Sequence, residues 1–168
     1  MNNGYIARGT YILMADGGQK RIENIKTGDK ILGIVINNDT IDIHAECDHP
    51  YHAEENYHPI EVADVISAKM DAVNIVYNYG GEYEALIKIS RNQRFLECGG
   101  TFVTIDEIME MKGSFIWINQ FRPWNSTQMS YYELEIQPAE PETIYQLLTA
   151  EQCGYIANSA VVEGMVRK

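Results

Sequence analysis

Long apolar runs and an excess of basic charge are both missing from this sequence. No stretch approaches the ~20 consecutive apolar residues that a bilayer-spanning helix needs, and the N-terminal segment MNNGYIARGT has no apolar signal core. Acidic side chains outnumber basic ones by 24 to 13, which gives a formal net charge of −11. A field of that sign repels phosphate backbones, and no local basic patch offsets it. The sequence therefore predicts a soluble, cytoplasmic protein with neither a nucleic-acid nor a membrane partner.

Cysteines are few, and their number is odd. Cys47, Cys98 and Cys153 are widely spaced, so the sequence predicts no disulfide framework. Cys98 has an acidic neighbour and no adjacent base that would lower its pKa, which favours an inert side chain. Cys153 follows two polar residues at a predicted turn, so we expect an exposed, unreactive thiol. No repeat, coiled coil, low-complexity tract or linker divides the chain, which predicts one domain over residues 1–168.

Short β-branched and apolar runs separated by turn residues make up most of the chain, and they predict an all-β fold. Gly80-Gly81 favours a tight hairpin turn, since glycine readily adopts positive φ. The spacing of Thr104 and Glu107 predicts the start of one short helix, which Gly113 ends. The predicted strands are residues 11–14, 30–36, 73–79, 83–90, 114–118, 131–136 and 143–149, together with the apolar segment 154–166. Pro138 and Pro141 are expected to separate 131–136 from 143–149.

Two segments at opposite ends of the chain carry a family resemblance. Residues 9–17 and 20–32 combine a Gly-Thr, an apolar strand, an Asp-Gly turn, an Ile-Glu pair and a Gly-Asp before a second strand. This pattern closely resembles the opening motif of Hint domains, the domains of inteins and Hedgehog proteins. Residues 144–147 and 155–164 are similar to the closing motif of that family, and residues 86–113 resemble its middle motif more weakly. The resemblance implies an all-β, horseshoe-shaped Hint fold with one short helix.

Hint domains are autoproteolytic, and the resemblance implies which positions would carry that chemistry here. In the family, a Cys or Ser attacks the preceding carbonyl through a five-membered ring, a Thr and a His act on the scissile amide, and in inteins a terminal His-Asn completes the reaction. The corresponding residues of this sequence are Tyr5, Ser90, Gln93, Glu163 and Gly164. Of these, only Ser90 keeps the family's functional group, a hydroxyl.

The resemblance thus predicts the fold and argues against the reaction. No catalytic set is intact, so the sequence predicts an intein-like Hint domain that has lost protein splicing and acts as a binding or scaffolding module for an unidentified protein partner. One alternative is residual autoproteolysis through a nucleophile that the motif comparison does not reveal.

A histidine-rich segment offers a second alternative. All four histidines fall within an insertion at about residues 40–60, where carboxylates and a cysteine accompany them. Imidazole, thiolate and carboxylate are the usual ligands of zinc, but their spacing here fits no standard zinc finger. The competing interpretation is a solvated, variable loop, which would leave the protein without a cofactor. The candidate zinc ligands are His44, Cys47, His49, His52 and His58.

Overall fold

The structure, a computed structural model, describes residues 4–35, 57–118 and 126–167. Four short strands occupy its first segment: β1 (Ile6–Ala7), β2 (Tyr11–Leu13), β3 (Gln19–Arg21) and β4 (Lys30–Ile34). The predicted Asp-Gly turn joins β2 to β3. In this turn the Gly18 amide donates to Oδ1 of Asp16 at 2.8 Å, and Gly17 takes the φ of 90° that favours glycine.

The longest strand of the fold is β5 (Tyr57–Tyr79), and it pairs with β6 (Glu82–Ile89) across the Gly80-Gly81 turn. Both glycines have positive φ, so the predicted hairpin is confirmed. The strand begins well before the predicted residue 73, and residues 57–59, which were expected to be irregular, pair with β4. That expectation is wrong because pairing with β4 satisfies the backbone of a segment whose polar composition suggested a loop. The remaining insertion residues, up to residue 56, lie outside the described ranges.

The middle motif holds β7 (Arg94–Leu96), β8 (Phe102–Thr104), the helix α1 (Ile105–Met111) and β9 (Ser114–Ile118). The helix starts where predicted, because Oγ1 of Thr104 accepts from the Glu107 amide at 3.2 Å. Lys112 in the left-handed region then ends it, and the Gly113 amide donates to the Ile108 carbonyl. Within the described ranges, no helix is long and apolar enough to cross a membrane.

After β10 (Ser126–Ser130), a 3-10 helix (Tyr131–Glu133) leads into the single strand β11 (Leu134–Thr149). The predicted break at Pro138 and Pro141 is therefore wrong. Pro138 stands opposite Val73 of β5 without ending the strand, and the segment around Pro141 forms a bulge, since three steps along β11 match two along β5 there. A bulge tolerates a residue that lacks an N–H donor.

The last strands are β12 (Gly154–Ala157), β13 (Ala160–Glu163) and β14 (Met165–Val166). The main strand order is β10-β9-β13-β12-β4-β5-β6-β1-β11-β14, with β2, β3, β7 and β8 attached to its sides. Strand β5 connects the two halves of this strand order. Its start pairs with β4, and the rest of it pairs with β6 and β11. In the described ranges the fold is all-β with one α-helix, as predicted. Its largest fully buried side chains include Tyr155, Phe95 and Phe115.

Candidate functional site

The N-terminal position of the motif, Tyr5, lies against the middle motif through strand pairing and through hydrogen bonds with Ser90. Strand β1 pairs with the end of β6, where Ile6 stands opposite Ile89. One residue further, the Tyr5 amide donates to Oγ of Ser90 at 2.8 Å, and the Ser90 amide donates to the Tyr5 carbonyl at 2.9 Å. The Ser90 hydroxyl lies 2.8 Å from Oδ1 of Asn92, to which it donates. The structure thus fixes residue 5 beside the buried Ser90 hydroxyl.

Gln93 connects the middle motif to the closing one. Its side chain is buried, and its Nε2 donates to the Glu163 carbonyl at 3.1 Å and to the Arg94 carbonyl at 3.0 Å. The Gln93 amide donates to the Ser90 carbonyl at 3.0 Å, which closes the turn between the two residues. A chain of hydrogen bonds therefore runs from Tyr5 through Ser90 and Gln93 to Glu163.

At the family's histidine position, Glu163 forms an ion pair with Arg94. The carboxylate is almost completely buried, and its Oε1 lies 3.4 Å from Nη1 of Arg94. The rest of the guanidinium donates to the Phe102 carbonyl, at 3.2 Å from Nε and 2.7 Å from Nη2. The Arg94 guanidinium thus binds groups on both β8 and β13, which is typical of an ion pair with a structural role.

The closing position, Gly164, is packed tightly. Its amide donates to the Cys153 carbonyl at 2.9 Å, and its carbonyl accepts from Nε2 of Gln152 at 3.2 Å. A Cβ atom at residue 164 would lie 3.2 Å from the Cys153 carbonyl oxygen and 3.5 Å from Cδ1 of Tyr155. A side chain there would require the Cys153 carbonyl to move by a few tenths of an ångström, so the position favours glycine.

Gln146 is a member of the site that the motif comparison does not single out. It lies on β11, is buried, and donates from Nε2 to the Gly4 carbonyl at 2.9 Å. The register of β1 and β11 brings it there, because Tyr145 stands opposite Ile6 and Gln146 is the next residue along β11. The sequence does hold one signal of this role. Gln146 is the polar residue of the otherwise apolar run 144–148 and is in phase with the buried Ile144, and buried polar side chains usually have partners.

The Gly4–Tyr5 peptide therefore lies between two buried polar side chains. Gln146 donates to its carbonyl oxygen, and Ser90 accepts from its N–H. Hydrogen-bond donors on a carbonyl stabilise the negative charge that develops when a nucleophile attacks it. The Cβ of Tyr5, however, carries no oxygen or sulfur, so no five-membered ring can form from this residue.

Cys153 is buried, which contradicts the predicted exposed thiol. Its polar neighbours in sequence occupy the turn, whereas the thiol points inward and lies 3.6 Å from Oγ1 of Thr149. Burial raises the pKa of the Cys153 thiol to about 11. The expectation of no disulfide is also wrong, because Cys98 is disulfide-bonded. An odd number of cysteines does not prevent two of them from pairing.

We expect the native Cys153 thiol to resist alkylation. A pKa near 11 instead of the usual 9.0 lowers the thiolate fraction at pH 8 about a hundredfold, and burial adds to the effect. Iodoacetamide labelling, followed on the peptide that contains Cys153, should be at least this much slower in the native chain than in guanidinium. Comparable rates in the two conditions would contradict the buried placement.

Most of the predicted zinc ligands cannot be located, since His44, Cys47, His49 and His52 lie outside the described residues. His58 is exposed on β5, opposite Gly33 of β4. The part of the chain that the structure describes contains no group of three or more His, Cys, Asp or Glu residues that could hold a metal ion.

Comparisons with known proteins identify the fold. No protein-family model and no curated protein sequence matches the chain. Solved structures do match. An Ssp DnaB mini-intein variant is 17% identical, covers 100% of this chain and 99% of its own, and has a TM-score of 0.70. A DnaB intein from Synechocystis is 18% identical with a TM-score of 0.67, covering 98% and 100% of the two chains.

A bacterial intein-like domain from Clostridium thermocellum is also similar. It is 20% identical, has a TM-score of 0.61, and the match covers 95% of this chain and 98% of that domain. The protein therefore has the Hint fold of inteins and intein-like domains. The resemblance found in the sequence motifs is confirmed at the level of the fold.

Proposed function

We propose that this chain is an intein-like Hint domain that has lost protein splicing and self-cleavage and acts as a binding or scaffolding module. The observation that carries the proposal is Tyr5, which occupies the nucleophile position beside an otherwise ordered site. Its N–H and carbonyl are both hydrogen-bonded to Ser90, so the residue is held in place. Its Cβ offers no atom that could attack the preceding carbonyl.

The other reactive positions support the same proposal. Gln93 does not exchange protons near neutral pH, and its Nε2 is already used on the Glu163 and Arg94 carbonyls. Gly164 has no amide side chain that could cyclise, and its tight surroundings favour glycine. Each step of an intein reaction thus lacks its reacting group in this chain.

Residual autoproteolysis through Ser90 is the competing function, because the Ser90 hydroxyl lies close to the Gly4–Tyr5 peptide. The geometry argues against it. Ser90 Oγ accepts the Tyr5 N–H, so it lies close to the plane of the peptide group. A nucleophile must instead approach the carbonyl carbon from above or below that plane. The Ser90 proton also faces the amide oxygen of Asn92, which is not a base.

A binding role requires an accessible surface, and aromatic side chains offer one beside the helix. Tyr132 is 72% exposed and its ring meets that of Tyr131 edge-on at 5.7 Å. The Tyr131 amide donates to the Gly113 carbonyl, which places this aromatic pair next to the end of α1 and the half-exposed Met111. Tyrosine and methionine are enriched at protein interfaces. A Tyr132→Ser variant should be as stable as the wild-type chain, because an exposed side chain contributes little to stability. The two chains can therefore be compared directly in binding measurements.

Intact-mass spectrometry tests the loss of self-cleavage. After several days at neutral pH with a thiol or hydroxylamine, we expect only the full-length mass. Release of residues 1–4, or of the residues after Gly164, would contradict the proposal. A Ser90→Ala variant serves as the control: if the wild-type chain cleaves and this variant does not, Ser90 is the nucleophile and the competing function is correct.

A further inference from the structure

The aromatic side chains beside α1 form a small surface patch with the last residue of that helix. The Tyr131 amide donates to the Gly113 carbonyl at 2.9 Å, and a Cβ atom on Gly113 would lie only 3.0 Å from Sδ of Met111. The half-exposed Met111 side chain therefore lies over Gly113, next to the start of the 3-10 helix. We call Met111, Tyr131 and Tyr132 the aromatic patch.

Tyr132 presents its ring to solvent from a fixed support. The side chain is 72% exposed, and its ring meets that of Tyr131 edge-on with the centroids 5.7 Å apart. Tyr131 is itself packed against the core, which holds the ring that Tyr132 contacts. An edge-on pair is a favourable arrangement of two aromatic rings. The Tyr132 ring is thus ordered at the surface without being buried, which is typical of a tyrosine that anchors an interface.

Acidic residues adjoin the aromatic patch. Glu110 precedes Met111 on α1, and Glu133 follows Tyr132 in the 3-10 helix. None of the ion pairs within the described ranges involves either carboxylate. Lys112 is the basic residue next to Met111. The residues that adjoin the patch in the sequence therefore carry a net negative charge, and both carboxylates are available to a cationic partner.

We propose that the aromatic patch binds a cationic segment of a partner protein, in which an arginine stacks on the Tyr132 ring and an apolar neighbour packs on Met111. This inference rests on the proposed function and names the class of partner for its binding role. The negative face of a tyrosine ring attracts a guanidinium, and the adjoining carboxylates add to the attraction. The chain already forms such a contact internally, since the Arg21 guanidinium lies 5.6 Å from the centroid of the Tyr11 ring.

The charge of the whole chain disfavours the other classes of occupant. The formal net charge is −11, so a second copy of this chain would bring a field of the same sign. Phosphate backbones and anionic lipid surfaces are repelled for the same reason. A segment with several arginines is attracted instead, and at low ionic strength this attraction extends beyond the direct contacts.

An NMR titration of the isotope-labelled full-length chain tests the inference. The probe is a short capped peptide of arginine and leucine residues spaced by glycine. We expect saturable shifts of the amide signals of residues 110–113 and 131–133. Tyr132→Ser should raise the Kd about threefold to fivefold, which corresponds to one exposed cation–π contact. A peptide with lysine in place of arginine should also bind more weakly, because the strongly hydrated ammonium stacks less well on a ring.

A second exposed tyrosine provides matched controls. Tyr83 lies on β6 between Glu82 and Glu84 and is also exposed, so Tyr83→Ser should leave the Kd unchanged. Glu110→Gln/Glu133→Gln should weaken binding more than Glu82→Gln/Glu84→Gln, although both double variants change the net charge by the same amount. This difference should shrink as the salt concentration is raised, because salt screens exposed charges.

The outcomes separate a specific site from general attraction. Saturable shifts at the aromatic patch, together with weaker binding in Tyr132→Ser alone, support the inference. It would be overturned by the absence of shifts at millimolar peptide, by shifts spread over the acidic surface, or by equal effects of Tyr132→Ser and Tyr83→Ser. Shifts of the same amides when the protein is concentrated without peptide would identify a second copy as the occupant and would also overturn it. Self-cleavage of the wild-type chain would overturn only the proposed loss of activity, since the titration reads binding alone.

Discussion

Replacing Phe95 with alanine is expected to lower the free energy of unfolding by about 4 kcal/mol. Phe95 is fully buried on β7, and its ring centroid lies 5.0 Å from that of Phe115. Truncation would remove the apolar transfer energy of the ring, leave a cavity and break this aromatic pair. Native domains of this size are stable by about 5–15 kcal/mol, so the loss is a large part of the total.

Urea unfolding followed by fluorescence measures this effect. Tyr83→Ala is the control, because Tyr83 is 60% exposed and its truncation should change stability by less than about 0.5 kcal/mol. Phe95→Leu should fall between the two, since it keeps a large apolar side chain. A loss below about 1 kcal/mol in Phe95→Ala would show that the site collapses around the cavity and would contradict the rigid packing of β7 against β9.

Replacing Asn158 with alanine is expected to cost about 3 kcal/mol, the sum of two lost hydrogen bonds and a strained backbone. Asn158 lies in the turn between β12 and β13 with a φ of 46°, which asparagine tolerates better than alanine. Its Oδ1 accepts from the Tyr11 amide at 2.8 Å, and its Nδ2 donates to the Leu86 carbonyl at 3.1 Å. Leu86 is the extra residue of a bulge in β6, so its carbonyl depends on this side chain.

Two variants in the same turn are the controls. Asn158→Asp keeps the acceptor for Tyr11 and loses the donor to Leu86, so it should cost less than Asn158→Ala. Ser159→Gly should stabilise the protein by about 1 kcal/mol, because Ser159 has a φ of 74°, a conformation that glycine adopts without strain. Equal stability of Asn158→Ala and wild type in urea unfolding would contradict the bridging role.

The sequence predicts the parts of the fold that local rules determine. The Gly80-Gly81 hairpin follows from glycine's access to positive φ, and the start of α1 follows from the Thr104–Glu107 spacing. The length of β5 and the continuity of β11 through Pro138 were not predictable in this way. Both depend on pairing between segments far apart in the sequence, and this pairing overrides the local preference of polar residues and prolines for loops.

The candidate site also combines features that the sequence predicts with features that depend on long-range strand pairing. Motif positions such as Tyr5, Ser90 and Gln93 could be assigned because the family pattern fixes their spacing, and the structure links them by hydrogen bonds. The roles of Gln146 and of the Arg94–Glu163 pair could not be assigned in this way, because they depend on strand register and not on spacing. The sequence predicts an exposed Cys153 because its neighbours in the sequence are polar. The structure shows that its side chain is buried.

The hydrogen bonds that join the first strand to the last ones also bear on when the site can form. Gly4 and Gln146 are 142 positions apart, and Tyr11 and Asn158 are 147 apart. Folds dominated by such distant contacts have a high contact order and fold slowly, in milliseconds to seconds. During translation, β1 leaves the ribosome long before β11 and β13 are synthesised. Assembly of the site is therefore a late event of folding, which follows the synthesis of β13.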